Sequence, residues 1–157
     1  MNRSQKLAKR LEAVLLNGQW IAHTNLQNEA SLLSMEMAQK KVHGLNTALE
    51  LIFHIRYYSE GIAEVLNGEP LSVKDAYSFH APPINSEEDW QAFRTRLEQS
   101  SKALIQFVSQ MPEESWDQDF ADGTYGSIEQ NIEGFIEHTY YHLGQLRLVR
   151  KLLHREG

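Results

Sequence analysis

The chain has 157 residues, 41% of them hydrophobic and 23% charged, an ordinary globular composition that argues against disorder and suits one continuous core. The net charge of −6 gives no basic footprint for nucleic acid, so no nucleic-acid partner is expected. With no cysteine there is no disulfide framework, thiolate ligand or protein thiol nucleophile, and without an h-region or a bilayer-length apolar run a cytoplasmic protein with no membrane association is expected.

Apolar residues recur at helical spacing through most of the chain, and no sustained period-2 alternation marks a strand. The first helical region runs from about Gln5 to Ser34, with Leu7, Leu11, Val14 and Leu15 on one face. The break signal Asn17-Gly18 predicts a kink or two short helices there. The second helix begins near Asn46-Thr47 and stops at Asn67-Gly68. Its apolar stripes, among them Leu49, Ile52, Ile55 and Ile62, place it at the centre of the core.

From Gly68 to Asn85 the chain carries three of its four prolines and no periodicity, which predicts a long crossover connection. Ser86-Glu-Glu-Asp89 has the form of a helix start, and Trp90, Phe93, Leu97, Leu104 and Met111 follow until Pro112. After a loop with Trp116, Phe120 and Asp122-Gly123, Ser127-Ile-Glu-Gln130 has capping-box form. It opens a fourth helix to about His154, with Ile132, Phe135, Leu143, Leu146 and Val149 on its stripe. The expected fold is all-α: a four-helix bundle with a long crossover between helices two and three, one domain over residues 1–157.

His138 and His142 are four residues apart on the fourth helix, so both imidazoles project from one face, the spacing with which a helix offers two ligands to one metal ion. His142 falls in register with Ile132, Phe135 and Val149. A third imidazole, His54, sits on the strongly apolar second helix, where an unpaired polar ring is costly to bury. His54 alone fits a core-edge histidine held by one hydrogen bond as well as it fits a ligand. Meeting between helices, the three would hold a borderline cation such as zinc or nickel and leave a position open, where a water or thiol loses its proton more readily.

Thr139 stands where the helical zinc-protease motif has glutamate, which disfavours peptide hydrolysis of that type. Glu50, Glu133, Glu137 and Gln145 are candidate partners of the ligands, although such residues usually lie on the surface. His80, in the crossover, is held in reserve as a further group; His23, His43 and His154 are expected at helix ends or in solvent. Gly61, Gly134 and Gly144 lie inside helical pattern, where glycine implies close helix approach or room for a ligand. Tyr57, Tyr58, Tyr140 and Tyr141 flank the histidines and suit a pocket, the core or a subunit contact.

Three stretches together carry a family resemblance: Leu-Glu-Leu-Ile-Phe-His54-Ile, Tyr-Ser-Phe-His-Ala-Pro-Pro-Ile-Asn-Ser-Glu-Glu-Asp-Trp90, and His138-Thr-Tyr-Tyr-His142-Leu-Gly-Gln145. The chain resembles the DinB-like (DNA-damage-inducible or YfiT-type) proteins over nearly its whole length, the closing His-x-x-x-His-x-Gly-Gln stretch being the most specific part. The resemblance implies a four-helix bundle with a long crossover, a divalent metal held by His54, His138 and His142, zinc or nickel as the ion, and a homodimer. Some relatives are transferases or isomerases that use bacillithiol, mycothiol or glutathione. The expected function is therefore a divalent-metal-dependent enzyme that activates a low-molecular-weight thiol or water for transfer to a small electrophile, with transferase or hydrolase activity. The alternative is a non-catalytic dimeric metal-binding or stress-response bundle. A shared fold does not fix the substrate.

Overall fold

The computed structural model describes residues 1–155, and all regular elements among them are helical apart from one isolated bridge, Asp119 to Ser127. Helix α1 (Arg3–Glu12) starts at a capping box in which Asn2 and Gln5 exchange side chain and backbone bonds. It widens into a looser turn over Ala13–Asn17, ended where the Gly18 N–H donates to the Ala13 carbonyl at 3.0 Å. The helical region expected up to Ser34 is divided further than its Asn-Gly signal implied. Asn25 caps α2 (Leu26–Ser31) and Ser34 caps α3 (Met35–Gln39), each side chain accepting from a backbone N–H three residues on. Such local bonds offer the backbone an alternative to a continuous helix.

The three long helices follow the sequence signals closely. Helix α4 (Ala48–Leu66) opens on a Thr47–Glu50 capping box, and α5 (Glu87–Gln110) opens on a Ser86–Asp89 box. At the start of α6 (Ile128–Arg155), the Gln130 N–H donates to Ser127 Oγ at 3.3 Å and the Ser127 N–H to Gln130 Oε1 at 2.9 Å. Each box satisfies two N–H groups that the first helical turn leaves without partners.

Helices α1 and α4 each pack against both α5 and α6, while α2 lies on α6 and α3 on α4. The core between them is apolar and closed: Leu11, Val14, Ile52, Ile55, Leu104, Val108, Ile132 and Leu146 are all fully buried. Each such side chain contributes about 1.5–3 kcal/mol by leaving water. The loop after α5 adds Trp116, buried beneath α1, with its Nε1 donating to Ser4 Oγ at 3.0 Å and that hydroxyl donating to the Met111 carbonyl at 2.7 Å.

Residues 67–86 form the long connection from α4 to α5, with one short 3-10 turn at Asp75–Tyr77. The chain lies close against α4: a Cβ built on Gly61 would stand 2.2 Å from Val73 Cγ1. Only glycine admits that approach. Among the described residues, no helix is long and apolar enough to cross a membrane.

Candidate metal centre

His54 leaves α4 at its buried face, and His138 and His142 leave successive turns of α6, which packs against it. The periodicity that fills the core with Ile52, Ile55, Phe135 and Leu146 thus carries three imidazoles into the same seam. Nε2 of His138 lies 3.0 Å from Nε2 of His54 and 2.9 Å from Nε2 of His142. One ligand atom from each of the three lies within 4.8 Å of the other two. His54 and His142 are buried, and His138 is half-buried.

The proton inventory of this cluster does not close by itself. Gln145 Oε1 stands 2.8 Å from His142 Nδ1, and since a carbonyl oxygen only accepts, Nδ1 carries the proton and Nε2 a lone pair. A neutral imidazole nitrogen is either a donor or an acceptor, so His138 Nε2 can complete a hydrogen bond to one of its two neighbours and not to both. Bonds of about 2.0–2.1 Å from imidazole nitrogen to zinc put two ligand atoms of one ion roughly 3 Å apart or slightly more. The observed separations are of that size, and the donor set of three neutral nitrogens suits a borderline divalent cation. The residues therefore fit a metal ion.

The surroundings hold these rings neutral and in place. Burial, followed by repulsion from His142 and then from His138, pushes the His54 pKa down to about 4. Burial also lowers His138 and His142, with repulsion from His142 adding to the effect at His138 and the Gln145 contact opposing it at His142. Phe79, from the crossover, stacks on His54 with ring centroids 3.9 Å apart and planes 9° from parallel. Nδ1 of His54 has no partner in hydrogen-bonding geometry, although the Ser78 backbone lies near enough to favour the protonated ring slightly. Tyr58 meets the edges of His54 and His138 and donates its hydroxyl to Asp75. Burial and that bond push the phenol up to about 12. The Asp75 carboxylate acts electrostatically on His54 and His138, raising both against the larger effect of burial.

A pocket of about 340 Å³ opens beside His138, bounded by Tyr58, Ile62, Asp75, Gly134 and Phe135 among others. A Cβ on Gly134 would meet nothing within 4 Å. Glycine there, as at Gly144, reflects open space and not the close approach seen at Gly61.

Of the other residues singled out from sequence, Gln145 alone of the four candidate partners bonds a histidine. Glu50 serves its capping box and pairs with Lys41, and Glu133 pairs with Arg10. His80 is exposed and packs edge-on against Tyr77, outside the three-histidine group. Tyr141 is largely exposed with its ring against His142, and Tyr57 exchanges bonds with the Lys74 backbone. Asp75, Ser78 and Phe79 were not singled out as site residues from the sequence, because they belong to a connection without periodicity; Ser78 and Phe79 entered only as part of the Tyr-Ser-Phe-His stretch of the family resemblance.

The chain is thus an all-helical protein whose long helices bring together three histidines that could hold a metal ion. The DinB superfamily profile matches residues 21–146, and the chain belongs to that superfamily. Comparison with curated proteins and with solved structures finds no match to either.

Proposed function

We propose that His54, His138 and His142 hold one divalent metal ion, zinc or nickel, and that the protein is a metal-dependent enzyme acting on a small electrophile with a low-molecular-weight thiol or water as nucleophile. The observation that carries this reading is the convergence of three Nε2 atoms, with His138 Nε2 3.0 and 2.9 Å from the other two and able to bond only one of them. A divalent ion bound there would supply Lewis acidity, lowering the pKa of a water or thiol. The chain's own residues do the positioning: Gln145 fixes the His142 tautomer, Phe79 holds the plane of His54, and the Tyr58–Asp75 pair borders the pocket next to His138. A thiol nucleophile would come from outside, since the chain has no cysteine.

The pocket favours an enzyme over a purely structural ion, because a site that only tied α4 to α6 would need no adjoining space. The second reading, a non-catalytic bundle, rests on the ligands coming from two different helices, which an ion would cross-link. We take the chain as a single bundle domain that forms a homodimer; Trp20, 94% exposed, and Tyr141, 64% exposed, support such a contact.

The deciding experiment is elemental analysis of tag-free protein, wild type against His138→Ala. Near-stoichiometric metal that disappears in the variant is expected, and metal retained by the variant overturns the assignment. A chelation-induced fall in melting temperature, without binding of any thiol or electrophile, would favour the non-catalytic bundle.

A further inference from the structure

The face of α4 turned away from the histidines carries a second polar feature that the metal reading leaves unexplained. Arg56 is 4% exposed, and its guanidinium sits over the ring of Phe93 at 4.5 Å and that of Phe53 at 5.4 Å. Its Nε is buried without a hydrogen-bond partner. It forms an ion pair with Glu60 at 3.5 Å, and that carboxylate is already engaged on both oxygens by Arg96, at 2.9 and 2.8 Å. Arg56 thus shares its one carboxylate with a second arginine, and its Nε is a buried donor without an acceptor. A buried cation so thinly compensated has N–H groups to offer a further acceptor.

Arg56 and Arg96 both line a cavity of about 430 Å³ between α4, α5 and the crossover, which His80 and Tyr57 also border. Of the two carboxylates on its wall, Glu60 is shared by Arg96 and Arg56, and Glu64 accepts from the Ser72 hydroxyl at 3.0 Å. The geometry points to a binding site for a small oxyanion, a carboxylate or phosphate group, held by Arg56 with Arg96 at the rim. Guanidinium suits this ligand because its planar fork matches two oxygens at once and it is weakly hydrated, so it remains charged when buried. The two phenylalanine rings pack within cation–π distance of the guanidinium carbon, and its N–H groups would donate to the anion.

The test is an NMR titration of the full chain, following backbone amides and the arginine Nε–H signals, with inorganic phosphate in one arm and malonate in the other. The expected result is a saturable shift at Arg56, Arg96 and the crossover, tighter in the phosphate arm for a phosphate-bearing ligand and in the malonate arm for a carboxylate-bearing one. Arg56→Met should weaken binding tenfold or more, and Arg96→Gln, at an exposed position, at least threefold. If Arg56→Met does not fold, Arg96→Gln decides. A linear response in both arms, saturation centred elsewhere, or affinity unchanged in the folded variants overturns the site. None of these outcomes depends on metal content, so the histidine centre and this pocket stand or fall separately.

Discussion

Two polar clusters are buried along α6. Toward its C-terminal end Glu29, 1% exposed, accepts from Thr24 Oγ1 at 2.8 Å and from Arg150 Nε at 2.6 Å, and Asn28 donates to the same threonine at 3.1 Å. Charge meets charge, and the hydroxyl both donates and accepts. Two to three turns earlier, His142 and His138 face His54 with three ring nitrogens and no carboxylate in the group. The first cluster is complete as folded; in the second, His138 Nε2 cannot bond both of its neighbours at once. A buried network that balances its own donors and acceptors serves the fold, whereas ring nitrogens that converge without completing their bonds could hold a cation from outside.

The contrast breaks most sharply at the ion. His138→Ala should take metal from about one per chain to none by elemental analysis, while Glu29→Gln should leave it unchanged; metal lost equally from both would erase the distinction. Arg150→Met should show the opposite behaviour. It strands a buried carboxylate and should cost about 3 kcal/mol in denaturant unfolding, with metal stoichiometry intact. Smaller again is Gln145→Leu, which frees the His142 tautomer and should weaken metal affinity roughly tenfold to a hundredfold in competition with a chromophoric chelator. Full affinity in that variant would remove Gln145 from the centre.

A further effect is a pH dependence confined to the metal-free chain. His54 ionises near 4 in the folded protein against 6.5 in its unperturbed state, so the unfolded chain binds the proton more readily. The neutral ring's contribution to stability is therefore fully present above about 6.5 and declines as pH falls toward about 4. Chelated wild type should lose stability across that window in urea titrations, and chelated His54→Leu should lose less of it. Equal slopes would mean that the ring is not held neutral by the fold.

Much of this architecture was legible in the sequence, for reasons that are local. Thr47–Glu50, Ser86–Asp89 and Ser127–Gln130 announce their helices because a capping box is satisfied within four residues. The i,i+4 pair of His138 and His142 follows from helical pitch alone, and His54 stood out as a polar ring in an apolar run. The division of residues 18–45 was only partly foreseen, since Asn25 and Ser34 become caps through competition between local bonds and a continuous helix. Gln145 resembled a surface residue because nothing in spacing distinguishes a solvated amide from one turned onto a ring. Asp75 and Phe79 were beyond reach: their roles depend on how an aperiodic crossover lies on α4, which Val73 against Gly61 and Lys74 against Tyr57 determine. Arg56 was hidden for the same reason, because its pocket is roofed by that connection.

The histidines of the candidate centre are widely separated along the chain, His54 and His138 lying 84 positions apart. Anything that grips all three rings closes a loop of that length, as a disulfide would, and removes from the unfolded ensemble a freedom worth on the order of 4 kcal/mol in the chain-entropy model. With an ion bound there, a chain without cysteine would have a cross-link indifferent to redox conditions and answering instead to the supply of a cation.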